Sequence, residues 1–527
     1  MSTDEVTGPG PGTGAAAGAG ADAGTPPVPT AEVLVEGVPA AMSLAPSGVG
    51  PSLGGELLLD PAGHTGTESM RAGLLQAGPL AAAGVLANGA NVVLTVLLAR
   101  VLSPHSYGVL NQLTGLFLIM SMPGSAVVVA VVRRVTMWHE DGSGHLVRRW
   151  AGRIHRQGSL AVLFWVAVVF SSRHGMAVLL GQRSGVGIAA ILGAAAFFVL
   201  LSLDRGLLQS RRAYRPLAAN LLVEGGLRTV LVLVLVEAGF GPSGAACGVL
   251  IAEMLTAAHA RWAAVRVWTG RPGAPAAGAG SSTTASTTPA APFTAPVRNR
   301  SWLAGWRAAV RRDPELGGSV LERHRVVLDL VIASVSLSMV ALLQNVDVLV
   351  VGRENPSHSG AYAAVSVTSK AIVFGAVVLG GYLLPEAAIR WRQGGHALRQ
   401  LAVVLLLLSI PAAVVLAVAL AAPRLLLQVV FHHAYTSAAA AMAPLVVAMI
   451  LLSVSVVLTM YLLAIGRRWV AAVLGVGAGA LTAAALAVHG STTATARVDL
   501  AVQAGVLLVI ITGFTLVHRI RARTGAV

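Results

Sequence analysis

From residue 74 onward the chain alternates between long apolar runs and short polar breaks. Twelve runs are long enough to cross a hydrocarbon core about 30 Å thick. They fall near 76–99, 107–131, 159–180, 186–208, 217–237, 243–264, 327–351, 361–384, 399–421, 438–463, 469–489 and 498–518. Their apolar residues follow one another without the period-two alternation of outer-membrane strands. The pattern therefore predicts helices, which satisfy their own backbone groups in lipid. Pro79 and Pro123 fall inside the first two runs and predict kinks there. The expected fold class is an all-α polytopic membrane protein with about twelve transmembrane helices.

Composition agrees. Only 11% of the 527 residues are charged, 55% are hydrophobic and mean hydropathy is +0.75, whereas soluble proteins carry about 25% charged residues. The net charge of +15 would suit a nucleic-acid partner, but the basic residues sit in the breaks between apolar runs, so no nucleic-acid partner is expected. With the N-terminus inside, the inner breaks hold clusters such as Arg133, Arg134, Arg148, Arg149, Arg153 and Arg156, and nine arginines between 266 and 325. The outer breaks hold only Arg100, Arg173, Arg183, Arg353, Arg424 and Arg497. The positive-inside rule then places both termini in the cytoplasm of a multi-pass cell-membrane protein. The single cysteine, Cys247, excludes disulfides and cysteine-rich metal sites.

The breaks also divide the chain. Residues 1–70 hold eight acidic residues and no Lys or Arg among many Gly, Ala and Pro, and predict a disordered cytoplasmic tail. Residues 72–265 form a first lobe of helices 1–6, and 326–519 a second lobe of helices 7–12. The segment 266–325 joins them as a cytoplasmic linker, with Trp302, Trp306 and Val310 spaced for an amphipathic surface helix over 301–312. Residues 520–527 are a basic tail. Six helices per lobe is an even number, so both lobes run the same way, as in parallel-repeat transporters. A short repeat marks the same relation. ARVLSPHSYG at 99–108 and GRENPSHSGA at 352–361 share Arg100 with Arg353, His105 with His358 and Ser106 with Ser359 at a constant offset of 253. Each follows the first helix of its lobe.

VVLTVLLARVLSPHSYGVLNQL resembles the first hairpin of polysaccharide-biosynthesis flippases, with its A-R-x-L-[GS]-P turn followed by G-[LV]. LSLDRGLLQSRRAYRPLAANLLVEGGLRTVL resembles their fourth and fifth helices, with an R-G-x-x-Q-x-x-x-x-[FY] junction. NVDVLVVGRENPSHSGAYAAVSV resembles the seventh and eighth, with D-x-x-x-[VL]-G and G-x-Y elements, and GYLLPEAAIR the end of the eighth. The chain is thus similar, over about 72–519, to oligosaccharide flippases of the multidrug/oligosaccharidyl-lipid/polysaccharide (MOP) exporter superfamily. The acidic tail and the Ser/Thr-rich linker depart from that pattern. The resemblance implies a MATE/MOP-like pair of lobes around a central cavity, and movement of a polyprenyl-diphosphate-linked sugar between leaflets by alternating access.

Ionisable groups inside spans are rare and face a cavity or a partner. Arg228 lies mid-helix 5 with Glu224 four residues earlier; it either holds a phosphate or is neutralised by Glu224. Lys370, the only lysine, lies in helix 8, with Asp347 of helix 7 as its partner across the hairpin. It reads as a diphosphate contact, an ion-coupling group or a structural pair. Glu253 is a candidate for coupling to H+ or Na+, or an interior hydrogen-bonded carboxyl. Asn88 and Asn91 on helix 1 suit sugar hydroxyls or helix contacts. Arg100, a further substrate-binding candidate, ends helix 1 at the outer mouth, where topology alone also accounts for it. Phe431, His432 and His433 lack the further ligands of a metal site, and no phosphate-loop motif occurs. No cofactor and no catalysis are expected; the partners are lipids, a lipid-linked sugar and a coupling ion. A multidrug antiporter of the same superfamily is the main alternative. A membrane glycosyltransferase or polymerase would need a sizeable loop site, and a non-transporting scaffold would keep only the fold.

Overall fold

In a computed structural model, residues 66–140, 144–211, 213–269, 320–392 and 398–524 are described. The expected tail over 1–65, the linker over 270–319 with its surface helix at 301–312, and 525–527 lie outside them. Twelve long helices occur among the described residues: α1 Gly66–Val101, α2 Pro104–Glu140, α3 Gly144–Ser171, α4 Val186–Ser210, α5 Tyr214–Leu235, α6 Gly241–Thr269, α7 Val320–Glu354, α8 Ser359–Arg392, α9 Leu398–Ala421, α10 Met442–Ala464, α11 Trp469–Ala487 and α12 Thr492–Thr524. Short helical turns at Arg173–Leu179, Pro423–Val430 and His433–Ala441 join some of them. No strand occurs among the described residues.

Among the described residues, eleven stretches are long and apolar enough to cross a membrane. One of them, Tyr214–Thr269, contains 56 residues, about 84 Å of straight helix, and comprises both α5 and α6. The chain reverses between them at Gly239 and Gly241, whose φ of +87° and +55° lie in the region that side chains disfavour. The helices overrun the apolar runs. α1 starts ten residues before the expected run, α6 continues to Thr269, α7 starts at Val320 and α12 continues to Thr524. The third element differs most. The expected span 159–180 is interrupted at Ser172, and α3 instead begins at Gly144. Its first half carries Arg148, Arg149, Arg153 and Arg156 on helix rather than loop, so hydropathy hides its start. α1 and α2 run unbroken through Pro79 and Pro123.

Helix packing repeats with a shift of six. α2 packs on α4 as α8 packs on α10, α4 on α6 as α10 on α12, and α1 on α5 as α7 on α11. The pairs α5–α6 and α3–α4 recur as α11–α12 and α9–α10. The two halves meet where α2 packs on α7 and α8. Lipid tails are as apolar as leucine, so tight packing and polar contacts hold such helices together rather than the hydrophobic effect. Outward-facing apolar side chains fit that environment: Phe164, Leu406, Val476 and Leu508 are largely exposed. Inside, Ala99, Tyr107, Leu118 and Met122 of α1 and α2 join the core of the second half.

Candidate functional site

Each half carries a buried polar cluster. In the first, Glu224 and Arg228 stand one turn apart on α5 and pair at 2.5 Å. Arg228 also pairs with Glu253 of α6. Arg205 of α4 reaches Glu224 at 2.5 Å and donates from Nε to Asn220 Oδ1 at 2.8 Å. Asn220 in turn donates to the Thr256 carbonyl at 3.1 Å and lies 3.1 Å from His259 Nδ1. Nearby, Asp204 takes Arg261 at 3.3 Å and His155 at 3.1 Å. Arg205, Glu224, Arg228 and Glu253 are all buried, and two guanidiniums balance two carboxylates. This network pins α4, α5 and α6 together. Arg228 thus sits within the first half, engaged by two carboxylates. Arg205, Asp204 and Arg261 join this network without being among the site residues expected from sequence; the signal for them is the R-G-x-x-Q element and the i, i+4, i+8 spacing of Asn220, Glu224 and Arg228.

In the second half, Asp347 of α7 accepts from Tyr362 Oη at 3.1 Å and Ser366 Oγ at 3.3 Å, both on α8. Lys370 Nζ lies 3.4 Å from Asp347 Oδ1 and 3.4 Å from Asn345 Oδ1. Both contacts are long for charge-assisted hydrogen bonds, which centre near 2.7–2.9 Å. The Lys370 side chain keeps 8% exposure while Asp347 keeps none. α2 comes close here: a Cβ on Gly115 would stand 3.3 Å from Asn345 Cβ. Behind this group, Asp499 and Gln503 of α12 are fully buried, with Gln503 Nε2 donating to Asp499 Oδ1 at 3.0 Å. Asn91 is buried on α1, and the Asn88 side chain lies outside the described set.

The two repeated turns face each other. A Cβ on Gly360 would overlap the Pro104 carbonyl oxygen, and one on Gly108 would overlap Ser359 Oγ and stand 2.7 Å from Gly360 N. Glycine permits this backbone approach. His105 Nδ1 donates to the Pro356 carbonyl at 3.0 Å, and Tyr435 Oη donates to the Ala99 carbonyl at 2.7 Å. Each repeated arginine reaches the opposite half. Arg100 donates to the Val429 carbonyl at 3.1 Å, and Arg353 packs on Gly181. Tyr107 packs against both Phe431 and Tyr435, with ring centroids 6.1 and 5.5 Å away. The halves are thus latched at the arginine-poor ends of their helices.

No family model and no curated protein matches the chain. Solved structures do. An inward-facing multidrug-resistance MATE transporter of the MOP superfamily gives a TM-score of 0.56 at 11% identity, over 82% of this chain and 95% of that one. The lipid II flippase MurJ, in an inward closed conformation, gives 0.58 at 10% identity, over 83% and 87%. A MOP-superfamily transporter from Pyrococcus furiosus, described as having a binding pocket of reversed polarity, gives 0.51 at 15% identity, over 85% and 94%. The all-helical membrane architecture of this chain is the fold of MOP-superfamily transporters.

Proposed function

We propose that the chain moves a polyprenyl-diphosphate-linked oligosaccharide across the cell membrane by alternating access, with both termini in the cytoplasm and the latch at the outer mouth. The observation that carries this reading is Lys370. It stands beside the α2–α7–α8 meeting of the halves, it keeps 8% side-chain exposure where Asp347 keeps none, and its two protein contacts are both long. A loosely held ammonium can exchange a protein acceptor for a diphosphate oxygen. Arg228, in contrast, is committed to Glu224 and Glu253, which favours a structural role for it. Asn91 and Asn345 offer amide groups for sugar hydroxyls or for positioning Lys370. The latch supports alternating access, because it joins the halves by backbone contacts and a few hydrogen bonds that separate without unfolding either half. α1 and α8 lack a packed interface of the extent that α2 and α7 share, which leaves a flank where a polyprenyl tail stays in lipid.

The test is reconstitution into liposomes with a fluorescent polyprenyl-diphosphate oligosaccharide, followed by an impermeant quencher. Transfer between leaflets that Lys370→Met abolishes is the expected result. A second reading, export of a cationic drug, draws on the two carboxylates Asp347 and Asp499 against one ammonium. Dye efflux without transfer of the lipid-linked sugar would establish it and remove the first.

A further inference from the structure

α3 presents one exposed face whose chemistry changes along its length. Arg149, Arg153, Arg156, Leu160, Phe164 and Ala167 recur at intervals of three or four residues, so they form one line on the helix, and all six are exposed. The opposite face is anchored. Val147, Ala151, Val162 and Val169 are buried, and Trp150 meets Trp138 of α2 edge-on at 5.3 Å. The three arginines therefore stand on a held helix rather than on a loose loop. None of them has a hydrogen-bond or ion-pair partner among the described residues, and α3 carries no acidic residue of its own. The acidic group that α3 does meet, Asp204, is buried and takes His155, away from this line. Past the arginines the line continues as lipid-facing apolar side chains. It ends at an open cleft of about 470 Å³ lined by Ala167, Val168, Ser171 and Ser172. The cleft forms where small residues coincide with the break between α3 and the short helix Arg173–Leu179. Ser172 Oγ donates to the Val168 carbonyl at 2.8 Å, so this hydroxyl makes no demand on an occupant.

We propose that this face of α3 binds an anionic phospholipid of the leaflet at the arginine-rich helix ends, its phosphate on Arg149, Arg153 and Arg156 and an acyl chain laid along Leu160 and Phe164 into the cleft at Ala167. The dimensions fit. From Arg156 to Ala167 is about 16 Å of helix, and half of a hydrocarbon core is about 15 Å. A chain that starts at the headgroup level thus ends at the cleft, which lies at the middle of the apolar run 159–180. Guanidinium suits the head, because its fork of donors matches phosphate oxygens. Orientation in the membrane does not by itself produce the arrangement. It needs basic residues near the end of a span, but not in one line with lipid-facing side chains. The second half makes the contrast: α9 packs on α10 as α3 packs on α4, yet it carries the single arginine Arg399. A soluble acidic protein would match the charges but not the apolar line that continues them. The site does not depend on what the chain transports.

The test uses the full chain with Cys247→Ser, in nanodiscs of phosphatidylcholine holding a minor fraction of phosphatidylglycerol. Leu163→Cys, beside the line on α3, carries a small fluorophore, and Leu406→Cys carries it on α9 as the reference; both positions are more than half exposed. One lipid or the other is brominated in mid-chain, and quenching by the two is compared at equal mole fraction. At residue 163 exchange should favour phosphatidylglycerol by about fivefold, the preference that one engaged arginine supplies near a membrane surface. At residue 406 it should favour neither lipid. Arg149→Gln, Arg153→Gln and Arg156→Gln together should abolish the preference, while the three Arg→Lys replacements, which keep the charge, should retain part of it. Loss in both triple variants would mean that the changes disturb α3 rather than remove a phosphate contact, and would overturn the assignment. A preference that survives the Gln replacements would overturn it too. Equal preference at residues 163 and 406 would reduce the effect to general enrichment of anionic lipid. A preference that appears only when the eight acidic residues of 1–70 are replaced by their amides would give the arginines to the chain's own tail instead of a lipid.

Discussion

Glu224 is the keystone of the first-half network, and its removal makes a prediction with an unusual sign. It accepts from Arg205 and Arg228, each at 2.5 Å, and is itself nearly fully buried. At an effective dielectric near 20, each contact represents about 7 kcal/mol of gross attraction, most of which offsets desolvation. Breaking a buried pair by deleting one partner costs about 3–5 kcal/mol, because a charge is left uncompensated. In Glu224→Leu, Arg228 retains Glu253, whereas Arg205 keeps the Asn220 carbonyl but loses its 2.5 Å carboxylate. The loss should fall at the upper end of that range. Adding Arg205→Met removes the stranded charge and leaves Arg228–Glu253 as a neutral pair. Apolar replacement of a buried ion pair is often neutral or stabilising, while the abandoned Asn220 oxygen costs about 1–3 kcal/mol. The double variant should therefore be more stable than Glu224→Leu alone and lie within about 2 kcal/mol of the wild type. The assay is denaturation of purified protein in mixed micelles, followed by tryptophan fluorescence. A double variant as unstable as the sum of its singles would show that Arg205 and Glu224 do not compensate each other and would refute the reasoning.

Three further outcomes follow from the same geometry. Lys370→Met should stop transport of the lipid-linked sugar while shifting the unfolding midpoint far less than Glu224→Leu, since both its contacts are long, at 3.4 Å; equal destabilisation would make Lys370 a structural residue. In a Cys247→Ser background, His105→Cys and Ser357→Cys should be joined by a short bifunctional thiol reagent when the latch is closed, because His105 bonds to the neighbouring Pro356; this cross-link should block transport, and unimpaired transport would show that the latch need not open. Gly360→Val should reduce that cross-linking, because the new side chain meets the Pro104 backbone carbonyl, which cannot swing aside; undiminished cross-linking would show that the approach is not tight.

Continuous apolar runs made the helices legible, because lipid imposes that constraint directly on sequence. Pairs within one helix or across one hairpin were legible too: Glu224–Arg228 by a four-residue spacing, Lys370–Asp347 by the rarity of lysine. Groups near the ends of runs were not. Asp499 stands one residue into the run at 498–518 and reads as interfacial, yet α12 begins at Thr492, which puts it about two turns inside. Asp204 and Arg205 sit near the end of the run at 186–208 and read as an inner boundary, although α4 buries both. Hydropathy places a residue along the chain; depth depends on where the helix starts and how it tilts, and that is decided by neighbours far away in sequence. The turn repeat shows the same limit. Its shared Arg, His and Ser were visible, but that the two turns touch follows only from the meeting of the halves.

The repeated packing does not extend to the polar clusters. α4–α5–α6 and α10–α11–α12 occupy corresponding places, yet the first-half cluster lies on α4, α5 and α6, whereas the second-half cluster lies on α7 and α8 with α12 behind them. The first closes its charges two against two, with contacts of 2.5 Å, and holds its three helices as a unit. The second sits where α2 of the other half packs on α7 and α8, with an ammonium 3.4 Å from its carboxylate and polar atoms on α12 without protein partners. A closed network within one half resists rearrangement, because breaking any of its contacts strands a buried charge. A loosely held group beside the contact between the halves has acceptors to exchange, so a change in how the halves meet reaches the second cluster before the first.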